Sequence, residues 1–285
     1  MGKHAPTRSG RAKAKAGFSL RLASWNVNSI RLRLSGLKRL VERETPDVLC
    51  LQEIKVRRED FPFQAFAALG YPFIALAAQA GYHGVAIVSR LALIGEFRLD
   101  WFDDEDARHI AAEFANGIEL HNFYVPAGGD VPDPATNAKF AHKLEFLAEM
   151  HRWFESRRKR RGKLILAGDL NVAPLATDVW SHRQLLNVVS HTPVEVEALA
   201  RIQHTLGFVD AVRHFVPEDV RLYSWWSYRA RDWRTSDRGR RLDHIWITPD
   251  LLESLRGASV LKASRGWKDP SDHVPVIVTL HRKVL

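Results

Sequence analysis

A chain of 285 residues with a net charge of +9, 46% hydrophobic and 26% charged, can bury a sizeable core and suits a polyanionic partner. No apolar run approaches the roughly 20 residues that span a bilayer, and there is no apolar signal-peptide core, so a membrane-spanning or secreted protein is not expected. The single cysteine, Cys50, lies in an apolar run and has no partner for an internal disulfide, which fits a reducing, cytoplasmic setting.

In chain order, residues 1–17 hold Lys3, Arg8, Arg11, Lys13 and Lys15 without an acid and read as a disordered basic arm. The same composition also fits an organellar presequence. From residue 18 to 285 no linker, low-complexity tract or repeat intervenes, so the rest reads as one domain. Strand-like apolar runs occur at Leu20–Val27, Val48–Gln52, Gly84–Ser89, Ile118–Val125, Leu164–Ala167, Leu242–Ile247 and Val274–Leu280. Helical spacing occupies 30–44, 58–69 and 136–157, the last with a stripe of Phe140, Leu144, Leu147, Met150 and Phe154. Arg157 to Arg161 close that helix, where cations suit the carbonyl end of the dipole and face solvent. Strands mixed with helices at irregular intervals make this an α/β protein with mixed sheets.

Four carboxylates mark the ends of apolar runs. Glu53 and Asp169 follow theirs, whereas Asp243 and Asp272 precede theirs. If the later strands run antiparallel to the earlier ones, all four share one rim. Each alone is an ordinary turn or cap residue; together, with amides beside them, they form a pattern. Asn26 and Asn28 are two apart in an extended segment and share a face, as do Asp169 and Asn171, and His273 adjoins Asp272. Carboxylates and amide oxygens are hard ligands that suit Mg²⁺, with Mn²⁺ as a substitute. The chain lacks the Cys/His clustering of structural zinc, a Walker A loop and a Gly-x-Ser-x-Gly elbow. Residues 221–241 interleave arginines with Tyr223, Trp225, Trp226, Tyr228 and Trp233, which reads as a nucleic-acid surface.

At these residues the sequence resembles the exonuclease III family of abasic-site endonucleases, within the endonuclease/exonuclease/phosphatase superfamily. The resemblance is carried, in order, by Ser24-Trp25-Asn26-Val27-Asn28-Ser29-Ile30-Arg31, Leu51-Gln52-Glu53-Ile54-Lys55, Tyr82-His83-Gly84-Val85-Ala86 and Asn122-Phe123-Tyr124-Val125-Pro126. It continues through Ala167-Gly168-Asp169-Leu170-Asn171, Gly207-Phe208-Val209-Asp210, the Tyr223–Arg229 stretch, Arg241-Leu242-Asp243 and Ser271-Asp272-His273-Val274-Pro275. All of the chain but the basic arm is covered.

The resemblance implies a four-layer α/β sandwich, two mixed β-sheets flanked by helices, with the site at one end of the sheets. It implies Glu53 as principal metal ligand, with Asp272 and Asn26 or Asn28 nearby. Asp169 is similar to the residue that activates the attacking water, and Asn171 to its orienting partner. His273, held by Asp243, would contact the scissile phosphate, and Tyr124 the phosphate or leaving group. Arg108, Trp225 and Arg229 would lie along the DNA. Whether Asp169, Asn171 and His273 instead hold a second ion stays open. One departure stands out: Ala127 follows Tyr124-Val125-Pro126 where the family usually places Asn or Gln. The expected activity is incision of duplex DNA 5′ to abasic sites, with trimming of damaged 3′ ends, by a monomer near the nucleoid. The alternatives are an RNase or phosphatase of the same superfamily, with the Trp225 stretch and the positive charge arguing against small lipid substrates, and a catalytically inactive DNA-binding protein.

Overall fold

The computed structural model describes residues 18–102, 106–159, 162–230 and 232–282. The basic arm and Arg160, Arg161 and Arg231 lie outside the described residues. The first part of the chain forms β1 (Phe18–Asn26), α1 (Ile30–Glu44), β2 (Val48–Gln52), α2 (Phe63–Ala68), β3 (Phe73–Ala77), β4 (Val85–Ser89) and β5 (Leu93–Phe97). The middle forms β6 (His109–Phe114), β7 (Ile118–Tyr124), α3 (Ala138–Ser156), β8 (Lys163–Asp169), α4 (His182–Leu185), α5 (Pro193–Thr205) and β9 (Val209–Asp210). The last part forms β10 (Trp225–Trp226), α6 (Trp233–Ser236), β11 (Gly239–Arg240), β12 (Asp243–Ile247), β13 (Leu255–Val260) and β14 (Val276–Arg282).

The strands make two mixed six-stranded sheets, ordered β13-β14-β1-β2-β4-β3 and β5-β6-β7-β8-β12-β9, plus a small β10-β11 ribbon. Strand alternation explains why they stack. In β2, Val48 and Cys50 point into the core between the sheets, while Leu49 and Leu51 pack beneath α1 with Leu37 and Leu40. In β8, Ile165 and Ala167 face the same inter-sheet core, while Leu166 packs beneath α3 and α5 with Met150, Phe154 and Leu199. Strands buried on both faces read as continuous apolar runs, and each such Leu or Ile contributes about 1.5–3 kcal/mol of burial. Helix, sheet, sheet, helix is therefore the layering, the four-layer sandwich expected.

Local chemistry sets the element ends. Pro62 disfavours helix at the residue before it, so α2 begins at Phe63 and not within the 58–61 segment. Asn137 caps α3 by accepting from the Lys139 amide. The apolar stripe of α3 is close to that expected, except that Leu144 is half-buried and Lys143 takes a fully buried place. Arg157, at the α3 end, is not simply solvated: it pairs with Glu119 at 2.6 Å and lies over Trp153.

Two pairings place the carboxylates. β14 runs antiparallel to β1, and β12 antiparallel to β8, with Asp243 directly opposite Asp169. The acids that end the early strands thus meet those that begin the late ones. Gly168, at φ +141°, is required just before Asp169, because a Cβ there would lie 2.0 Å from the Phe123 carbonyl oxygen. Among the described residues, no helix is long and apolar enough to cross a membrane.

Candidate active site

At this rim Asp169 is 1% exposed and bridges two groups of residues. Its Oδ1 accepts from the Asn171 amide at 3.0 Å, and its Oδ2 accepts from Asn26 Nδ2 at 2.9 Å. His273 Nε2 stands 3.6 Å from Asp169, while its Nδ1 hydrogen-bonds Asp243 at 2.9 Å. Asp243 is in turn held by the Ser224 hydroxyl at 2.6 Å. Glu53 accepts from Asn26 Nδ2 at 2.8 Å and pairs with Lys55 at 2.7 Å.

Burial and charge set the protonation states. Burial lifts the Asp169 carboxyl to about 7, against the pull of His273 and with help from Asp243 and Glu53. Burial alone would depress His273, but the Asp243 and Asp169 charges outweigh it and raise the imidazole to about 10. Glu53 moves the other way: burial would raise it, and Lys55 and Asn26 bring it below the usual range. Tyr124, buried beside Glu53 and Asp169, is raised well above the phenol range and stays a neutral donor. The site therefore offers an imidazolium, a carboxylate whose ionised form Lys55 and Asn26 favour, and a second carboxylate poised near neutrality.

Glu53, Asp169 and His273 present ligand atoms within 4.8 Å of one another. Two hard oxygens in such a group fit a divalent cation of the Mg²⁺ type. Asp272 stands beside them; its oxygens accept from Trp225 Nε1 at 3.0 Å and Asn28 Nδ2 at 3.1 Å. Asn26 turns its nitrogen to Glu53 and Asp169 and gives its oxygen to the Asn28 amide, so here it ties two carboxylates together from behind. Asn28 bonds Asp272 and Lys55 instead of facing that group. Asn28, Glu53, Lys55, His83 and Asn171 all adopt left-handed backbone, a concentration of strain around one site.

A cleft of about 690 Å³ opens over these groups, lined by Tyr124, Asn171, Trp225, Arg229 and His273 among others. Arg229 is exposed at its edge. Arg108 is only 7% exposed: it binds Asp106 at 2.7 Å and underlies the Tyr124 ring at 5.0 Å, supporting that side chain from below. The 221–241 stretch divides, which corrects its reading as one surface. Tyr223 and Trp226 are core residues, and Arg241 is buried between Asp178 at 2.8 Å and Asp210 at 2.5 Å. Arg240 turns inward over Trp225 and bonds the Val189 carbonyl at 2.9 Å. Arg221, Arg234 and Arg238 stay exposed. Trp25 is a packing residue whose Nε1 also donates to the His273 carbonyl at 3.0 Å. Sequence reasoning missed the roles of Lys55 and Ser224, each inside a quoted motif, and Lys143, which no local signal marks.

The model of the "Endonuclease/Exonuclease/phosphatase family" matches residues 23–273. The chain belongs to this family. Within it, the affinity is with exonuclease III: the sequence is 30% identical to exodeoxyribonuclease III of Haemophilus influenzae, over 90% of this chain and 98% of that protein. An AP endonuclease structure from Archaeoglobus fulgidus superposes with a TM-score of 0.85 at 33% identity, covering 92% of this chain and 99% of that one. A Neisseria 3′ phosphatase structure bound to product DNA hairpin superposes at 0.83 and 31% identity, covering 91% and 98%. The protein is thus a hydrolase of the exonuclease III type.

Proposed function

We propose that this exonuclease III-family hydrolase is a metal-dependent DNA phosphodiesterase of base excision repair, incising 5′ to abasic sites and clearing 3′ ends. The observation that carries the reading is the buried Asp169, poised between Asn171 and the Asp243-held His273 at the floor of a Trp- and Arg-walled cleft. A phosphodiester is already an anion, so attack by water needs positive charge at its nonbridging oxygens. The His273 imidazolium supplies that charge, and the Tyr124 hydroxyl donates to the phosphate or to the leaving 3′ oxygen. Asn171 gives its Nδ2 to the Val125 carbonyl at 2.8 Å, which leaves its amide oxygen to hold the attacking water. Asp169 takes the proton from that water, a role worth about 10²–10⁴-fold. Glu53, with Asp272 beside it, would hold Mg²⁺, which when bound polarises phosphoryl oxygens and stabilises charge on the leaving group.

Along the cleft, the flat Trp225 face suits the space left by a missing base, and Arg229 suits a phosphate. Two relatives named for AP endonuclease and 3′ phosphatase activities support this pair of substrates. On this reading the protein works as a cytoplasmic monomer on duplex DNA. The test compares an abasic duplex, a duplex with a 3′-phosphate, an intact duplex with a recessed 3′ end, and RNA, each with Mg²⁺ and with chelator. Fastest cleavage of the abasic duplex, abolished by chelator, is expected. Equal cleavage of RNA, or cleavage that survives chelation, would overturn the reading.

A further inference from the structure

Lys143 lies in α3 among apolar side chains, and neither it nor its partner Glu195 retains any solvent exposure. Its ammonium meets Glu195 at 2.5 Å, donates to the Asn171 carbonyl at 2.7 Å, and reaches the Ala127 carbonyl at 3.4 Å. Glu195 spends its other lone pairs on one turn, accepting from the Ser190 amide at 2.9 Å, the Thr192 amide at 3.1 Å and the Thr192 hydroxyl at 2.7 Å. The pair thus stands where three cleft-lining segments converge: 127–129, the backbone of Asn171, and 188–190.

Each of these segments carries positive-φ backbone, at Gly128, Asn171 and Ser190, a conformation that is free for the glycine but that at Asn171 and Ser190 persists only when the surroundings over-determine it. Packing there is close enough that a Cβ on Gly128 would lie 2.9 Å from Lys143 Cδ and 3.0 Å from Val189 Cγ1. A buried ammonium is costly without a full set of partners, whereas a purely apolar joint would pack as well and would leave the carbonyls of Asn171 and Ala127 unheld.

We propose that the buried Lys143–Glu195 pair is a positioning device for catalysis: it fixes the Asn171 backbone, and with it the water-orienting amide, against the 127–129 and 188–190 walls of the cleft. It touches neither substrate nor metal, and acts through Asn171. Ala127 sharpens the need, because a residue without a polar side chain must be placed through its backbone. The inference rests on the water-orienting role given to Asn171.

The experiment measures kcat, KM and the Mg²⁺ midpoint on an abasic duplex for Lys143→Met, Asn171→Ala and the double variant, each checked for folding by circular dichroism. Displacing a reacting group by about 1 Å can cost about 10²-fold, so Lys143→Met should lower kcat on the order of ten- to a hundredfold. KM and the Mg²⁺ midpoint should stay within about threefold of the parent, because the phosphate and metal contacts lie elsewhere. In the Asn171→Ala background the Lys143 substitution should cost almost nothing further, as for two residues acting through one group. If Lys143→Met does not fold, Lys143→Met/Glu195→Met takes its place, since exchanging a whole buried ion pair for apolar residues is commonly tolerated. Additive losses, or a folded variant with unchanged kcat, would overturn the positioning role. Full turnover of Asn171→Ala alone would instead remove the underlying role of Asn171.

Discussion

Asp169 and His273 show how one degree of burial produces opposite tools from two side chains. The carboxylate is lifted to about 7 because little but His273 and hydrogen bonds offset its desolvation, whereas the imidazole is lifted to about 10 because two carboxylates face it. Glu53, with Lys55 at 2.7 Å, is pulled below the usual carboxylate range although burial would raise it. These differences separate two variants that would otherwise look alike. Glu53→Gln removes a charge from the metal-holding group, so activity should collapse at low Mg²⁺ and recover in part at high Mg²⁺, read from an activation curve. An unchanged midpoint would take Glu53 out of the metal site. Asp169→Asn removes the proton acceptor, so kcat should fall about 10²–10⁴-fold at every Mg²⁺ concentration while DNA affinity persists. A loss that Mg²⁺ titrates away would make Asp169 chiefly a metal ligand. Much of this was legible in the chain, because Glu53, Asp169, Asp243 and Asp272 each abut an apolar run and antiparallel pairing brings them together. What was not legible is orientation: nothing local tells that Asn26 turns its nitrogen to the carboxylates, or that Arg108 lies beneath Tyr124.

At the scale of elements, the same asymmetry decides what sequence patterns reveal. β2 and β8, buried on both faces, stand out through the unbroken apolar runs 48–51 and 164–167, and β12 through Ile245-Trp246-Ile247. β6 carries His109, Ala111, Ala112 and Glu113 and gives no such signal; it is a strand because β5 and β7 pair with it on either side. α5 did carry its mark, Pro193 after a Thr192 cap with Glu195 three residues on, but its carboxylate reaches across the fold to Lys143 and no spacing rule foretells that. Arg241 is a similar case, since its position in an arginine-rich stretch conceals an ion cluster with Asp178 and Asp210 that anchors the start of β12. Burial would raise both carboxyls, but the Arg241 charge outweighs it and holds them below their usual range. Their contribution to stability is therefore fully present above the unfolded carboxyl value near 4 and fades as pH falls below it. Arg241→Met takes the guanidinium from buried Asp210 and leaves Asp178 with Arg213 alone, and should cost about 3–5 kcal/mol at pH 7. Protonation relieves stranded carboxylates, so the gap in melting temperature between variant and parent should narrow from pH 7 towards pH 4. A gap independent of pH would mean that Arg241 acts by packing alone.

For the whole molecule the deciding quantity is charge in relation to a polyanion. The net charge of +9 is unevenly spread, and Lys3, Arg8, Arg11, Lys13 and Lys15 all precede the first strand. None of the residues assigned to the site lies among them, so deleting residues 1–17 should leave kcat at saturating DNA unchanged. Affinity should fall, and chiefly at low salt, where neutralising a phosphate releases counterions. Each phosphate that is no longer neutralised takes about 0.9 from the slope of log affinity against log salt, and a short run of cations seldom engages in full. The slope should therefore shrink by about two to four in the truncated protein. The measurement is a salt titration of DNA binding by full-length and truncated chains side by side, with turnover recorded at saturation. A shallower slope with intact turnover assigns the segment to long-range attraction, which brings DNA to the cleft without touching its chemistry. Identical slopes would leave the sandwich domain to account for all of the electrostatic affinity, and the basic segment to a role such as targeting.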